Sequence, residues 1–89
     1  MVRYHLMISG RVQGVGFRYT AHAIAQKYRL TGFVKNEYDG SVLVEVQGDE
    51  VAIDRFIQEV SEGRFIRIDR IDRRGMPVEE DERGFIVQY

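Results

Sequence analysis

From Val2 to Ile8 the apolar side chains fall on even positions (Val2, Tyr4, Leu6 and Ile8), with Arg3, His5 and Ser9 on the other face and Met7 the exception. A period of two belongs to a strand with one buried face, so this run predicts a first strand. Phe17, Ala21, Ile24, Ala25 and Tyr28 then recur at helical spacing and predict a helix from Phe17 to Arg29. A second strand is expected over Gly32 to Val34, ending near Asn36. Asp39-Gly40 is a turn signal between two strand-like runs. Val42, Val44 and Val46, alternating with Leu43, Glu45 and Gln47, predict the third strand. Asp49 suits the N-cap of a second helix whose apolar residues are Ala52, Phe56, Ile57 and Val60, and Gly63 suits its C-terminal end. A fourth strand is expected over Phe65 to Arg70 and a short last one over Phe85 to Tyr89. Between them, Arg73 to Gly84 reads as a loop, and its acidic run Glu79-Glu80-Asp81-Glu82 as solvated charge. The mixed charges Arg67, Asp69, Arg70, Asp72, Arg73 and Arg74 read as a solvent-facing strand that discourages edge-to-edge pairing.

The resulting order, β-α-β-β-α-β plus a short final strand, is the split βαβ, or ferredoxin-like, arrangement of an α+β domain. Two helices then cover one face of a mostly antiparallel sheet, and right-handed crossovers leave few alternatives. The first and second strands of such a sheet run parallel. Their C-terminal ends therefore lie at the same sheet edge, which brings the segment after the first strand close to Asn36.

Composition narrows the classes of function. Eighty-nine residues suffice for one domain, expected to span 1–89, and no repeat or linker divides it. Thirteen Lys and Arg against 14 Asp and Glu leave a net charge of -1, which gives no global field for nucleic acid or an anionic membrane. The absence of cysteine excludes disulfides, thiolate metal sites and cysteine nucleophiles. No signal-like or membrane-spanning apolar segment occurs, so a cytoplasmic monomer is the expectation.

The connection Gly10-Arg11-Val12-Gln13-Gly14-Val15-Gly16-Phe17-Arg18 carries the candidate chemistry. Its glycines permit left-handed backbone and close approach of a ligand, and convergent N–H groups leading into a helix N-terminus favour an anion. The spacing matches neither the dinucleotide fingerprint nor a P-loop. Arg18 offers a planar, permanently charged fork for phosphate oxygens. Asn36 neither takes nor gives up a proton, but its amide can hold and aim a water, as a glutamine does in GTPases. Such a set contains no acid, base or nucleophile. It suits a phosphate whose leaving group departs without protonation, such as a carboxylate of conjugate-acid pKa about 4. Positioning and electrostatic stabilisation then suffice. Each residue also has a plainer reading: the glycines as a tight connection, Arg11 and Arg18 as surface cations, Asn36 as a turn former, His5 on the strand's solvent face and His22 on the helix surface.

Together, Gly10 to Arg18, Gly32-Phe33-Val34-Lys35-Asn36 and the hairpin Asp39-Gly40-Ser41-Val42 resemble the acylphosphatase family over nearly the whole chain. The resemblance implies a small hydrolase that converts acyl phosphates to a carboxylate and inorganic phosphate, without metal or cofactor. It implies that Arg18 is the phosphate-binding arginine and Asn36 the water-orienting asparagine. The backbone of Gln13, Gly14, Val15, Gly16, Phe17 and Arg18 corresponds to the phosphate cradle. Phe33 stands where the family commonly has tryptophan, and Arg64 follows Gly63 where proline is frequent.

Two other readings compete. The chain is alternatively a phosphate- or carbamoyl-holding domain, as at the front of carbamoyl-transfer maturation factors, although with Tyr89 so soon after the last strand no attached transfer domain is expected. A nucleic-acid-binding domain of the same fold would show a basic sheet face with exposed aromatics, which the strands do not supply.

Overall fold

The computed structural model of the protein describes residues 1–89. The alternation that opens the chain continues past the last apolar position, so β1 (Val2–Arg11) runs on into the glycine connection. It is followed by α1 (Phe17–Lys27), β2 (Thr31–Asn36), β3 (Val42–Gly48), α2 (Glu50–Ser61), β4 (Arg67–Met76) and β5 (Phe85–Gln88). The sheet order is β4-β1-β3-β2-β5. β3 pairs antiparallel with both β1 and β2, so those two strands point the same way, as expected. β5 pairs parallel with β2, in register Lys35 to Gln88, and ends at the same edge.

The core lies between the helices and one sheet face. Leu6, Ile8, Val34, Val42, Val44 and Val46 of the sheet meet Phe17, Ala21 and Ala25 of α1 and Ile53, Phe56 and Val60 of α2. On α2 the fully buried residue of the first turns is Ile53, with the expected Ala52 and Ile57 packed at its flanks. Asp49 caps this helix by accepting the Ala52 N–H at 3.3 Å. Its C-cap is Glu62, and Gly63 follows at the end of the helix as expected, where its N–H reaches the Val60 carbonyl and its missing Cβ leaves room for Ile66.

Three boundaries differ from expectation for identifiable reasons. α1 ends two residues early because Arg29 turns into the left-handed region (φ 57). There the Arg29 N–H reaches the Gln26 carbonyl and the Leu30 N–H the Ala25 carbonyl, a Schellman ending that tucks Leu30 into the core. β4 starts at Arg67 rather than Phe65 and extends to Met76. It is an edge strand paired only with β1, from Arg11–Arg67 to Arg3–Met76, so it needs few buried side chains and carries its charges outward until Pro77. Gly10 belongs to the strand rather than to the loop. It sits at a β-bulge where an added Cβ would stand 2.2 Å from the Arg67 carbonyl oxygen.

The open face of the sheet also differs from expectation. Arg3, expected toward solvent, is 3% exposed. Its guanidinium donates to both carboxylate oxygens of Glu82 (2.7 and 3.0 Å), to Glu45 (3.0 Å) and to Gln47 (3.2 Å). The Gln47 amide meanwhile exchanges hydrogen bonds with the backbone N–H and carbonyl of Glu79. The acidic stretch is therefore a strap across the sheet, fastened at Glu79 and Glu82, while Glu80 and Asp81 remain exposed as expected. His5, half-buried beside this cluster, lies 3.2 Å from Glu45.

Burial is the largest single influence on the Glu82 carboxyl and pushes it up, but the Arg3 hydrogen bond, the nearby Thr31 hydroxyl and the Arg3 charge together outweigh it and hold the group below its ordinary 4.5. A carboxyl with a depressed folded value contributes fully above the unfolded value and loses that contribution as pH falls through the folded one. Glu82→Ala is expected to cost about 2 kcal/mol at pH 7, since it leaves a buried guanidinium short of its bidentate partner. The gap to the parent protein should close as the pH drops below 4.5. Urea titrations at several pH values measure it, and a gap constant with pH would exclude the ion pair as its source.

Candidate active site

Between β1 and α1 the chain must reverse direction, and Gly14 (φ 72) and Gly16 (φ 79) both adopt left-handed backbone to do so. Nothing lies within 4 Å of a Cβ built on either, so conformation rather than space selects glycine here. Gly16 is also the N-cap of α1. No side chain caps that helix and no acidic residue stands in its first turn. Its leading N–H groups, which have no intrahelical acceptor, and the positive end of the helix dipole are left for an outside acceptor.

The loop is held from below and from the side. Val12 is buried and Val15 packs against the core. The Gln13 amide donates to the carbonyls of Glu37 and Ser41, both at 2.8 Å, which fastens the loop to the β2–β3 hairpin. Within that hairpin the Asp39 carboxylate accepts the Ser41 hydroxyl at 2.6 Å and the Ser41 N–H at 2.9 Å. Those two bonds, the hydroxyl first, hold the Asp39 carboxyl below its usual range.

A cleft of about 120 Å³ opens over this loop, lined by Gly14, Gly16, Phe17, Arg18, Tyr19 and Asn36 with Val12 at its base. Arg18 and Asn36 therefore meet in one cleft, as the shared sheet edge predicts. From the expected cradle, Gly14, Gly16, Phe17 and Arg18 face the cleft. Gln13 and Val15 do not, and they anchor the loop instead. The Arg18 guanidinium is itself steadied by the end of β5. One N–H donates to the Gln88 carbonyl at 3.0 Å, and the Tyr89 ring lies 4.8 Å from its central carbon. A guanidinium has five N–H donors, so four remain for a ligand.

Chemically, the cleft offers backbone N–H groups, a fixed cation and one amide, with no carboxylate or imidazole in its lining. It can bind a tetrahedral oxyanion and hold a water beside it, and it contains no general acid or base. No group of three His, Cys, Asp or Glu side chains is placed to hold a metal ion. His22 stands on α1 outside the cleft, and Arg11 is exposed at the end of β1. Sequence reasoning missed Gln13 as an anchor, Tyr19 as a wall, and Gln88 and Tyr89 as supports of Arg18. The last two become visible only once β5 is known to run parallel beside β2.

The family model described as Acylphosphatase matches residues 4–87. An acylphosphatase of Clostridium acetobutylicum is 41% identical over 90 aligned residues, covering 100% of this chain and 99% of that protein. The crystal structure of acylphosphatase from Bacillus subtilis superposes with a TM-score of 0.92 at 37% identity, covering 100% of both chains. The crystal structure of HypF from T. kodakarensis matches with a TM-score of 0.85 at 36% identity, over 100% of this chain and 12% of that one.

Proposed function

Because the chain belongs to the acylphosphatase family, enzymes that hydrolyse small acyl phosphates, we propose that Arg18 and the backbone of the Gly14–Arg18 turn bind the phosphoryl group and that Asn36 aims the attacking water. The observation that carries this assignment is the meeting of Arg18, Asn36 and an uncapped helix N-terminus in one small cleft.

In this reading the phosphoryl oxygens rest on the N–H groups and on Arg18, which withdraw charge as the transition state forms. Water held by the Asn36 amide attacks phosphorus in line. The bond from phosphorus to the carboxyl oxygen breaks, and the carboxylate leaves with the electron pair. The proton of the water passes to a phosphoryl oxygen, which gives inorganic phosphate. A carboxylate is a weak enough base to leave unprotonated, so the missing general acid is no obstacle. An alkyl ester would have to expel a far more basic alkoxide. The same reading makes residues 1–89 one domain that acts as a cytoplasmic monomer on a small molecule, with no nucleic-acid partner. No helix is long and apolar enough to cross a membrane.

The test is hydrolysis of acetyl phosphate in excess chelator beside an alkyl phosphate ester. Turnover of the first, unchanged by chelator, and none of the second is the expected result. Absence of turnover with several acyl phosphates would overturn the assignment, and phosphate binding without turnover would favour the holding-domain reading.

A further inference from the structure

β4 borders β1 on one side and no strand on the other, so the outward N–H and C=O groups along its ten residues have no strand partner. An open edge of that length is a template for another strand. Charge protects such an edge when an incoming strand meets its own sign. β4 carries Arg67, Asp69, Arg70, Asp72, Arg73 and Arg74, and whether these repel a second copy of the strand depends on register.

Side chains alternate between the two faces of a strand. Two copies of β4 running antiparallel about a two-fold axis join into one sheet, helices on the same side, only when facing residues share a face. The axis then passes through a residue and not between two. Placed at Asp69, Arg70, Asp72, Arg73 or Arg74, it sets that charge against its own copy. Placed nearer either end, it leaves at most three residues of each strand overlapping. At Ile71 the conflict disappears. Ile71 meets Ile71, Arg70 meets Asp72 at both crossings, and Asp69 meets Arg73 beyond them. Charges that repel a copy in the other registers attract one in this register.

The surroundings fit that pairing. Arg70 faces Ser9 and Asp72 faces Met7 across the ladder, on the sheet face away from the helices, whereas Ile71 faces Ile8 on the helix side. Arg70 and Asp72 are 72% and 50% exposed and lie 3.5 Å apart. Two copies therefore close a ring of four charges that alternate in sign, and such a network holds more firmly than a lone surface pair. Arg73 adds less, because Asp54 already holds its guanidinium at 2.9 Å. The bulge ahead of Arg70 ends the regular ladder, so the contact is short and the pairing weak. No residue of β4 lines the cleft, so each copy keeps its site whether single or paired.

We propose that the outer edge of β4 is a docking surface for a second copy of this chain, joined antiparallel about Ile71 with Arg70 against Asp72. The dissociation constant expected of so small and polar an interface is on the order of 100 µM, so dilute protein acts singly.

Sedimentation equilibrium of the full chain, over concentrations about tenfold either side of that value, tests the surface. A reversible monomer–dimer equilibrium is expected, and it should weaken as salt is raised to about 1 M, where charges are screened within about 3 Å. Arg70→Asp sets a carboxylate against Asp72 at both crossings, and Asp72→Arg sets a guanidinium against Arg70. Each should weaken the dimer by about tenfold or more. The double variant, Arg70→Asp with Asp72→Arg, has the parent's net charge and again opposes unlike signs at both crossings. It should pair with about the parent's constant, a rescue that misfolding does not produce. The amide NMR spectrum reports the fold of each variant. A parent protein that stays monomeric over the whole range overturns the proposal. A dimer that survives high salt or both single variants does so too, as does a double variant that stays monomeric.

Discussion

Replacing Arg18 with alanine is expected to reduce kcat/KM for acetyl phosphate by about 10³–10⁵-fold, the range seen when an arginine that stabilises a transferring phosphoryl group is lost. Inhibition by inorganic phosphate should weaken in the same variant, because the guanidinium is the one side-chain cation in the cleft and meets the anion before and after the chemical step. The backbone N–H groups of the α1 terminus remain, so some affinity for phosphate should persist. Arg18→Lys should recover little, since an ammonium reproduces the charge and loses the two-pronged geometry. Arg18 also touches Gln88 and Tyr89. Urea denaturation of the variant should show a change of about 1 kcal/mol or less, which separates lost chemistry from lost folding. Retained activity in Arg18→Ala would remove this residue from the mechanism.

Asn36→Ala should show the opposite division. Turnover is expected to fall by about 10²–10³-fold, the usual consequence of losing one preorganised donor at a reacting centre. Inorganic phosphate should still inhibit with a constant within about threefold of the parent, because the amide addresses the water rather than the bound oxygens. Asn36 is the last residue of β2 and its backbone pairs with Val42, an arrangement that alanine preserves. If phosphate inhibition and turnover fell together in both variants, the separate task given to Asn36 would be wrong.

Much of the fold was legible because its main signals are local. The even-numbered apolar residues of β1, the helical spacing from Phe17 to Ala25 and the Asp49 cap each identify an element without reference to a distant partner. What escaped the sequence depends on who sits beside whom. Arg3 is polar and falls on the polar side of an alternating strand, and the partners that bury it, Glu45 and Glu82, come from positions far along the chain. β4 was cut short because its charges and Gly75 resemble a loop, whereas an edge strand tolerates both. That Arg18 and Asn36 share one cleft was legible for a topological reason, namely that two parallel strands finish at one edge. Tyr89 was not, because a strand of four residues carries no mark of the neighbour it will choose.

The amide of Gln13 grips the hairpin by two carbonyls and by no side chain. A mount of that kind is indifferent to what the hairpin displays. Tyr38, fully exposed at its tip, takes no part in these bonds, so its replacement should leave Asn36 in place relative to the cleft. Position 13 has no such licence, since a shorter or branched residue there would uncouple the two halves of the site while leaving both of them folded.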